Sequence, residues 1–174
     1  TVASEVDGWL FMRRHLADFN LDYYKPRGTP TKFFKLLLSH FSRAKDEGIT
    51  PDQYMNQVES QISSITAGSE ETFDALPEEE RLEWIKYREV GRAYKTYQDI
   101  LIAEDALDFG DLLAYTVELF KTRPNILAEY RKRFTYIVVD EFQDTNSVQY
   151  ELVKLLAAPR NNLTIVGDDD QAIY

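Results

Sequence analysis

Two groups of acids in this chain each close an apolar run. In YIVVDEFQDTN, residues 136–146, four apolar residues lead straight into the adjacent carboxylates Asp140 and Glu141. An amide and a third acid follow at Gln143 and Asp144. In NLTIVGDDDQAIY, residues 162–174, the run 163–166 leads into Gly167, Asp168, Asp169, Asp170 and Gln171. A carboxylate is a hard oxygen ligand suited to Mg²⁺, which keeps most of its waters and commonly takes one or two carboxylates plus phosphate oxygens. A second carboxylate beside it can orient an attacking water or accept its proton. Asp140 and Glu141 are adjacent at a strand terminus, so they point in different directions and need not share one task.

The elements around these acids must bring them together for that chemistry. RFTYIVVDEF reads as a strand. SVQYELVKLLAA reads as a helix, with Val148, Leu152, Leu155 and Leu156 at i, i+4, i+7 and i+8. A second strand follows at 163–166. Strand, helix and strand with short links predict a crossover and hence parallel strands. Both strands are continuously apolar, which predicts cover on both faces. In a parallel α/β sheet, ligands bind beyond the carboxyl ends of the strands, so both acid groups converge on one rim.

Residues 1 to about 107 read as helices joined by polar breaks. EVDGWLFMRRHLADF carries Val6, Trp9, Leu10, Met12, Leu16 and Phe19 near helical spacing. YYKPRGTP is a loop. TPTKFFKLLLSHFSRAKDEG follows as a helix, with Thr31 a candidate cap and Phe34, Leu37, Leu38 and Phe41 its apolar face. Thr50 and Pro51 start a third helix, and TAGSEETFDAL is the most loop-like stretch. A long helix runs from Pro77, with three Glu in its first turn where the helix dipole favours acids. Gly91 in its middle costs about 1 kcal/mol relative to Ala, which predicts a close approach there. LDFGDLLAYTVELF is a shorter helix that opens a second part, 108–174.

The chain has 174 residues, 44% hydrophobic and 29% charged, an ordinary globular balance. It has no cysteine, which excludes disulfides and Cys-ligated zinc and fits a reducing, cytoplasmic compartment. No run of about 18 apolar residues is present, so no membrane helix is expected. The net charge of -10 argues against a large nucleic-acid footprint, because phosphate contacts need Lys and Arg. A local basic stripe is compatible with that total: Lys32, Lys35, Arg43 and Lys45 fall on one helical segment, preceded by Lys25 and Arg27. A solvated face is the plainer reading of that stripe. His15 and His40 read as packing residues, Trp9 and Trp84 as core, and Asp108 and Asp111 as helix-anchoring groups.

VVDEFQDTNSVQYELV closely resembles motif II, the Walker B box, of the UvrD/Rep/PcrA family of superfamily 1 DNA helicases. IVGDDDQAIY resembles their motif III, with Ala172 in place of a common Ser. ALDFGDLL resembles the segment where their chain re-enters the first motor domain, and FSRAKDEGITPDQY a segment of subdomain 1B. The resemblance covers most of residues 33–174 in the family's order. It implies an α/β fold: a mostly helical 1B-like insertion subdomain at 1–107, then a partial RecA-like P-loop NTPase sheet at 108–174, the 1A-like part. It implies that Asp140 holds Mg²⁺ with ATP, Glu141 polarises the hydrolytic water, Gln171 senses the γ-phosphate and Tyr174 stacks on a base of single-stranded DNA. It also implies DNA contact by the basic stripe of the 1B-like part, single-stranded and duplex DNA being the expected partners.

The phosphate-loop pattern G-x-x-x-x-G-K-[ST] does not occur among the 174 residues. With the missing initiator Met, this leads to the expectation of a piece of a 3′–5′ helicase, inactive by itself and lacking the phosphate-loop strand. The strand at 163–166 would then offer an unpaired edge, open to rearrangement or self-association. The rival readings are the motor part of an AddA/RecB-type helicase–nuclease subunit, and a non-enzymatic helical binding module.

Overall fold

In the computed structural model, residues 1–168 and Asp170 are described. They form two compact units, one of Thr1–Ala44 with Ile49–Asp108, the other of Lys45–Gly48 with the described residues from Phe109 onward.

The first unit is helical. Helix α1 spans Glu5–Arg14. Its N-cap Ser4 accepts the Asp7 amide through Oγ at 3.3 Å, while Asp7 Oδ2 accepts the Ser4 amide at 2.9 Å. The reciprocal bonds satisfy donors that a helix start leaves open, and the Ser4 hydroxyl holds the Asp7 carboxyl below its ordinary value. The helix stops well short of Phe19, which is buried from the loop that follows. Helix α2, Phe34–Asp46, starts three residues after Thr31, which is therefore not its cap. Helix α3, Pro51–Thr66, is capped by Thr50 and Gln53 with Pro51 in its first turn. The stretch read as a loop contains a short helix, α4, Glu70–Asp74. Helix α5, Glu78–Ala103, is the longest at 26 residues.

The core of this unit is aromatic. Phe41 lies stacked near Tyr94 at 5.1 Å and Tyr97 at 5.5 Å between ring centres. Met12, Phe19, Phe34, Leu37 and Leu101 fill the same cluster. Trp9 is partly buried, edge-on to Phe34, and Trp84 packs on a smaller cluster of Val58, Ile62 and Phe73. Gly91 has the close neighbour its position suggested: a Cβ there would lie 2.1 Å from Met55 Sδ on α3. Glu89, buried at 1% exposure, accepts the amides of Asp22 and Tyr24 through Oε1 and of Tyr23 through Oε2, at 2.9 to 3.1 Å. One carboxylate on α5 thus fixes the loop after Phe19.

The second unit holds α6, Phe109–Thr122, α7, Pro124–Arg133, β1, Ile137–Val139, α8, Ser147–Ala157, and β2, Leu163–Ile165. The strands are parallel, in the register Ile137↔Leu163, Val138↔Thr164 and Val139↔Ile165. The α/β reading therefore holds as a mostly helical chain with a small two-stranded parallel sheet. Helix α7, which the sequence reading did not separate, begins with Pro124 at its first position and ends on Arg131, Lys132 and Arg133. Arg131 donates to the Leu155 carbonyl on α8 at 2.8 Å.

Cover on both strand faces is not what the structure shows. Val138 is 61% exposed and Ile165 46%. The apolar runs reflect strand propensity without a second covering layer among the described residues. No described helix is long and apolar enough to cross a membrane.

Candidate functional site

The carboxyl ends of β1 and β2 meet. Val166 donates its amide to the Val139 carbonyl at 2.8 Å, and Phe142 donates to the Val166 carbonyl at 3.0 Å. These backbone bonds carry the parallel pairing past the strand ends, so the two acid groups share one rim.

Asp140 follows β1 directly, and its Oδ1 accepts the Glu141 amide at 3.0 Å. Glu141 then turns the chain in the left-handed region, φ 51° and ψ 44°. That conformation is uncommon for a residue with a Cβ and concentrates at functional turns. A single 3₁₀ turn, Phe142–Asp144, comes next, closed by the Asp144 amide on the Glu141 carbonyl at 2.9 Å. Asp140 and Glu141 are both exposed, as binding of a hydrated cation and a phosphate chain requires.

Gln143, which the sequence marked only as an amide, joins the two motifs. Its Nε2 donates to Glu141 Oε2 at 2.6 Å, and its Oε1 accepts the Asp168 amide at 3.0 Å. Asp168 Oδ1 in turn accepts the Asp170 amide at 3.1 Å. Among the described residues no three acids or histidines cluster closely enough to hold a metal by themselves. The donor set suits Mg²⁺, which needs few protein carboxylates when phosphate and water complete its shell.

The turn is fastened on its far side by α8. Asn146 caps that helix, accepting the Gln149 amide at 2.9 Å, and its Nδ2 donates to Asp46 Oδ1 at 2.8 Å. Ser147 Oγ donates to Glu47 Oε2 at 2.6 Å. The N-x-x-Q spacing at 146–149 is a sequence signal for that cap. The contacts with Asp46 and Glu47 have no local signal, because their partners lie far apart in sequence.

Gln171 and Tyr174 lie outside the described residues. Lys32, Lys35 and Arg43 are exposed. Lys45 departs from the basic stripe: it is 4% exposed and its Nζ lies 2.8 Å from Asp111 Oδ1. A lysine buried against a carboxylate offers no charge to a phosphate backbone, so it leaves the candidate nucleic-acid set, and Asp111 is its anchor. His15 does have acids beside it, Asp18 at 3.1 Å and Glu104 at 3.4 Å, and His40 faces the Tyr54 hydroxyl at 3.2 Å.

The ends of the two parallel strands thus bring Asp140, Glu141 and Asp168 to one rim, with Glu141 at a left-handed turn. Residues 11–174 match the UvrD/REP helicase N-terminal domain. The chain is 34% identical over 165 residues to the ATP-dependent DNA helicase PcrA of Leuconostoc citreum, covering 94% of this chain and 18% of that protein. It is 40% identical over 135 residues to DNA helicase II of Haemophilus influenzae, covering 78% and 15% respectively. With the PcrA of Staphylococcus aureus identity reaches 52% over 85 residues, 49% of this chain and 12% of that one. The chain belongs to the UvrD/REP helicase family, and it spans less than a fifth of the length of these relatives.

Proposed function

We propose that this chain supplies part of an ATP-dependent 3′–5′ DNA helicase motor. The first unit corresponds to a 1B-like subdomain and the second to part of a RecA-like 1A domain. The observation that carries the reading is the convergence of the Asp140–Glu141 pair with the Gly167–Asp168 turn at one strand rim.

Asp140 is the group to hold Mg²⁺ with ATP, and bound Mg²⁺ supplies charge neutralisation of the phosphates. Glu141, at the left-handed turn, orients the attacking water and accepts its proton. Gln171 reports the γ-phosphate and Tyr174 stacks on a base, a contact of about 1–3 kcal/mol that tolerates any sequence. Lys32, Lys35 and Arg43 contribute exposed positive charge for single-stranded or duplex DNA. The 174 residues by themselves hydrolyse no ATP in this reading, since they carry no phosphate-loop pattern.

The test is Glu141→Gln in the full-length protein. The amide keeps shape but takes no proton, so DNA-stimulated turnover is lost while ATP still binds. Asp140→Asn weakens Mg²⁺–ATP binding instead. Near-normal turnover in Glu141→Gln overturns the assignment.

A further inference from the structure

We infer that Gln143 is a positioning residue that aims the Glu141 carboxylate and ties it to the turn after β2. This rests on the nucleotide-hydrolysing reading of the site.

The Gln143 amide sits between two groups of opposite demand. Glu141 Oε2 can only accept, so it requires the NH₂ end, at 2.6 Å. The Asp168 backbone can only donate, so it requires the oxygen, at 3.0 Å. A flipped amide would set N–H against N–H and oxygen against carboxylate, so one orientation alone satisfies both neighbours. The side chain is half-buried, whereas Glu141 is exposed and, among the described residues, its carboxylate is held by Gln143. An exposed glutamate on its own samples several rotamers. The charge-assisted bond from Gln143 selects one.

The second half of the bridge makes that selection sensitive to the β2 turn. A Cβ on Gly167 would lie 3.1 Å from Gln143 Oε1 and 3.3 Å from Phe142 Cβ. Glycine at this position therefore leaves room for the amide to reach the Asp168 N–H. Movement of the Gly167–Asp168 backbone would pull on Gln143, and through it on Glu141. Among the described neighbours the link is Gln143's: Asp144 binds the Glu141 carbonyl through its own amide, and Phe142 donates its amide to the Val166 carbonyl and packs its ring edge-on to Tyr150.

Three substitutions separate positioning from folding. Gln143→Ala removes both bonds, Gln143→Asn keeps the amide but is one methylene too short to span, and Gly167→Ala crowds the Gln143 amide while leaving residue 143 itself unchanged. The first readout needs no nucleotide: amide hydrogen exchange at Asp168, with Phe142 and Val166 as internal controls. The second is steady-state ATP hydrolysis by the full-length protein. Exchange at Asp168 is expected to accelerate in Gln143→Ala while the two controls hold. Outer-shell partners of this kind are typically worth about 10–100-fold in activity, and the loss is expected in kcat, with KM for ATP little changed. Gly167→Ala is expected to move both readouts the same way. Unchanged Asp168 exchange overturns the bridge. Wild-type kcat in Gln143→Ala, with wild-type protein active, overturns the positioning role and leaves the nucleotide reading standing. A full-length wild type without ATPase activity overturns that reading itself, and the positioning role with it.

Discussion

Lys45 and Asp111 face each other across 2.8 Å with each side chain 4% exposed. Lys45 sits in the last turn of α2, while Asp111 lies in the first turn of α6, where its charge also favours the helix dipole. Removing one partner strands the other charge in a poorly solvated place, which costs about 3–5 kcal/mol. Asp111→Ala and Lys45→Met are each expected to lower stability by that order. The double variant Lys45→Met with Asp111→Leu is expected to recover most of it, because a buried pair often does no better than well-packed apolar groups. Urea midpoints of the four proteins measure the cycle, and additive losses would contradict it.

Glu89 offers a second graded test. Glu89→Ala leaves three loop amides without their acceptor, each about 1–3 kcal/mol if buried. Glu89→Gln retains one oxygen for two of the amides but sets an NH₂ against the third. Stability is expected to fall in the order wild type, Gln, Ala, with amide exchange accelerating at Asp22, Tyr23 and Tyr24.

Gly91 opposes two terms. Alanine there gains about 1 kcal/mol of helix propensity but drives its Cβ to 2.1 Å from Met55 Sδ and 3.1 Å from Tyr54 Cδ1. Overpacking costs about 1–3 kcal/mol, and the contact joins α3 to α5 along their shared face. Gly91→Ala is expected to destabilise the protein. Met55→Ala in the same background is expected to relieve part of the loss, which thermal melts of the pair would show.

His40 gives the first unit a pH dependence. It lies beside a cavity of about 430 Å³ lined also by Tyr24, Tyr54, Glu83, Lys86 and Tyr87. Burial, then the neighbouring Arg43, push its pKa below the ordinary 6.5. Burial also pushes the Tyr54 phenol up to about 12, so the hydroxyl facing His40 stays neutral. Above 6.5 the imidazole is neutral folded and unfolded, and contributes nothing. Below it the unfolded chain takes the proton first, so stability falls with pH until the folded pKa is passed. His40→Gln is expected to shrink the loss between about pH 7.5 and about pH 5.5, read as the shift in urea midpoint against wild type. An equal loss in both proteins would assign the pH dependence to other groups.

Local physics made much of this chain legible in its sequence. The caps at Thr50 and the long helix after Pro77 follow from spacing and terminal residue types, and so does the parallel pairing of the two acid-ended strands. Acids after a strand are common in polar loops, so a single DE pair says little; two acid-ended strands one crossover apart are what marked 140–144 and 168–170 as a shared rim. What stayed hidden depends on distant partners. Lys45 looks like its basic neighbours on α2 until Asp111 is placed beside it. Gln143 looks like any turn amide until both its neighbours are known. Helix α7 was overlooked because Leu127 alone of its residues is buried, too weak a period to separate from α6. Strand exposure failed for a related reason: an apolar run records strand preference, not what covers it.

The second unit draws on two separate stretches of chain, Lys45–Gly48 and the run from Phe109 onward. Synthesis proceeds from the amino terminus, so Lys45 emerges with α2 and must keep its water while α3, α4 and α5 are still being made. Its ion pair and the Asp46–Asn146 bond form only once a long loop has closed, and that closure carries an entropic cost local helices do not bear. The nascent helical unit can therefore be complete while the rim that carries Asp140 and Glu141 is still waiting for its partners. The turn at Asp140 and Glu141 thus waits on contacts between stretches of chain about a hundred residues apart, made after α2 has formed.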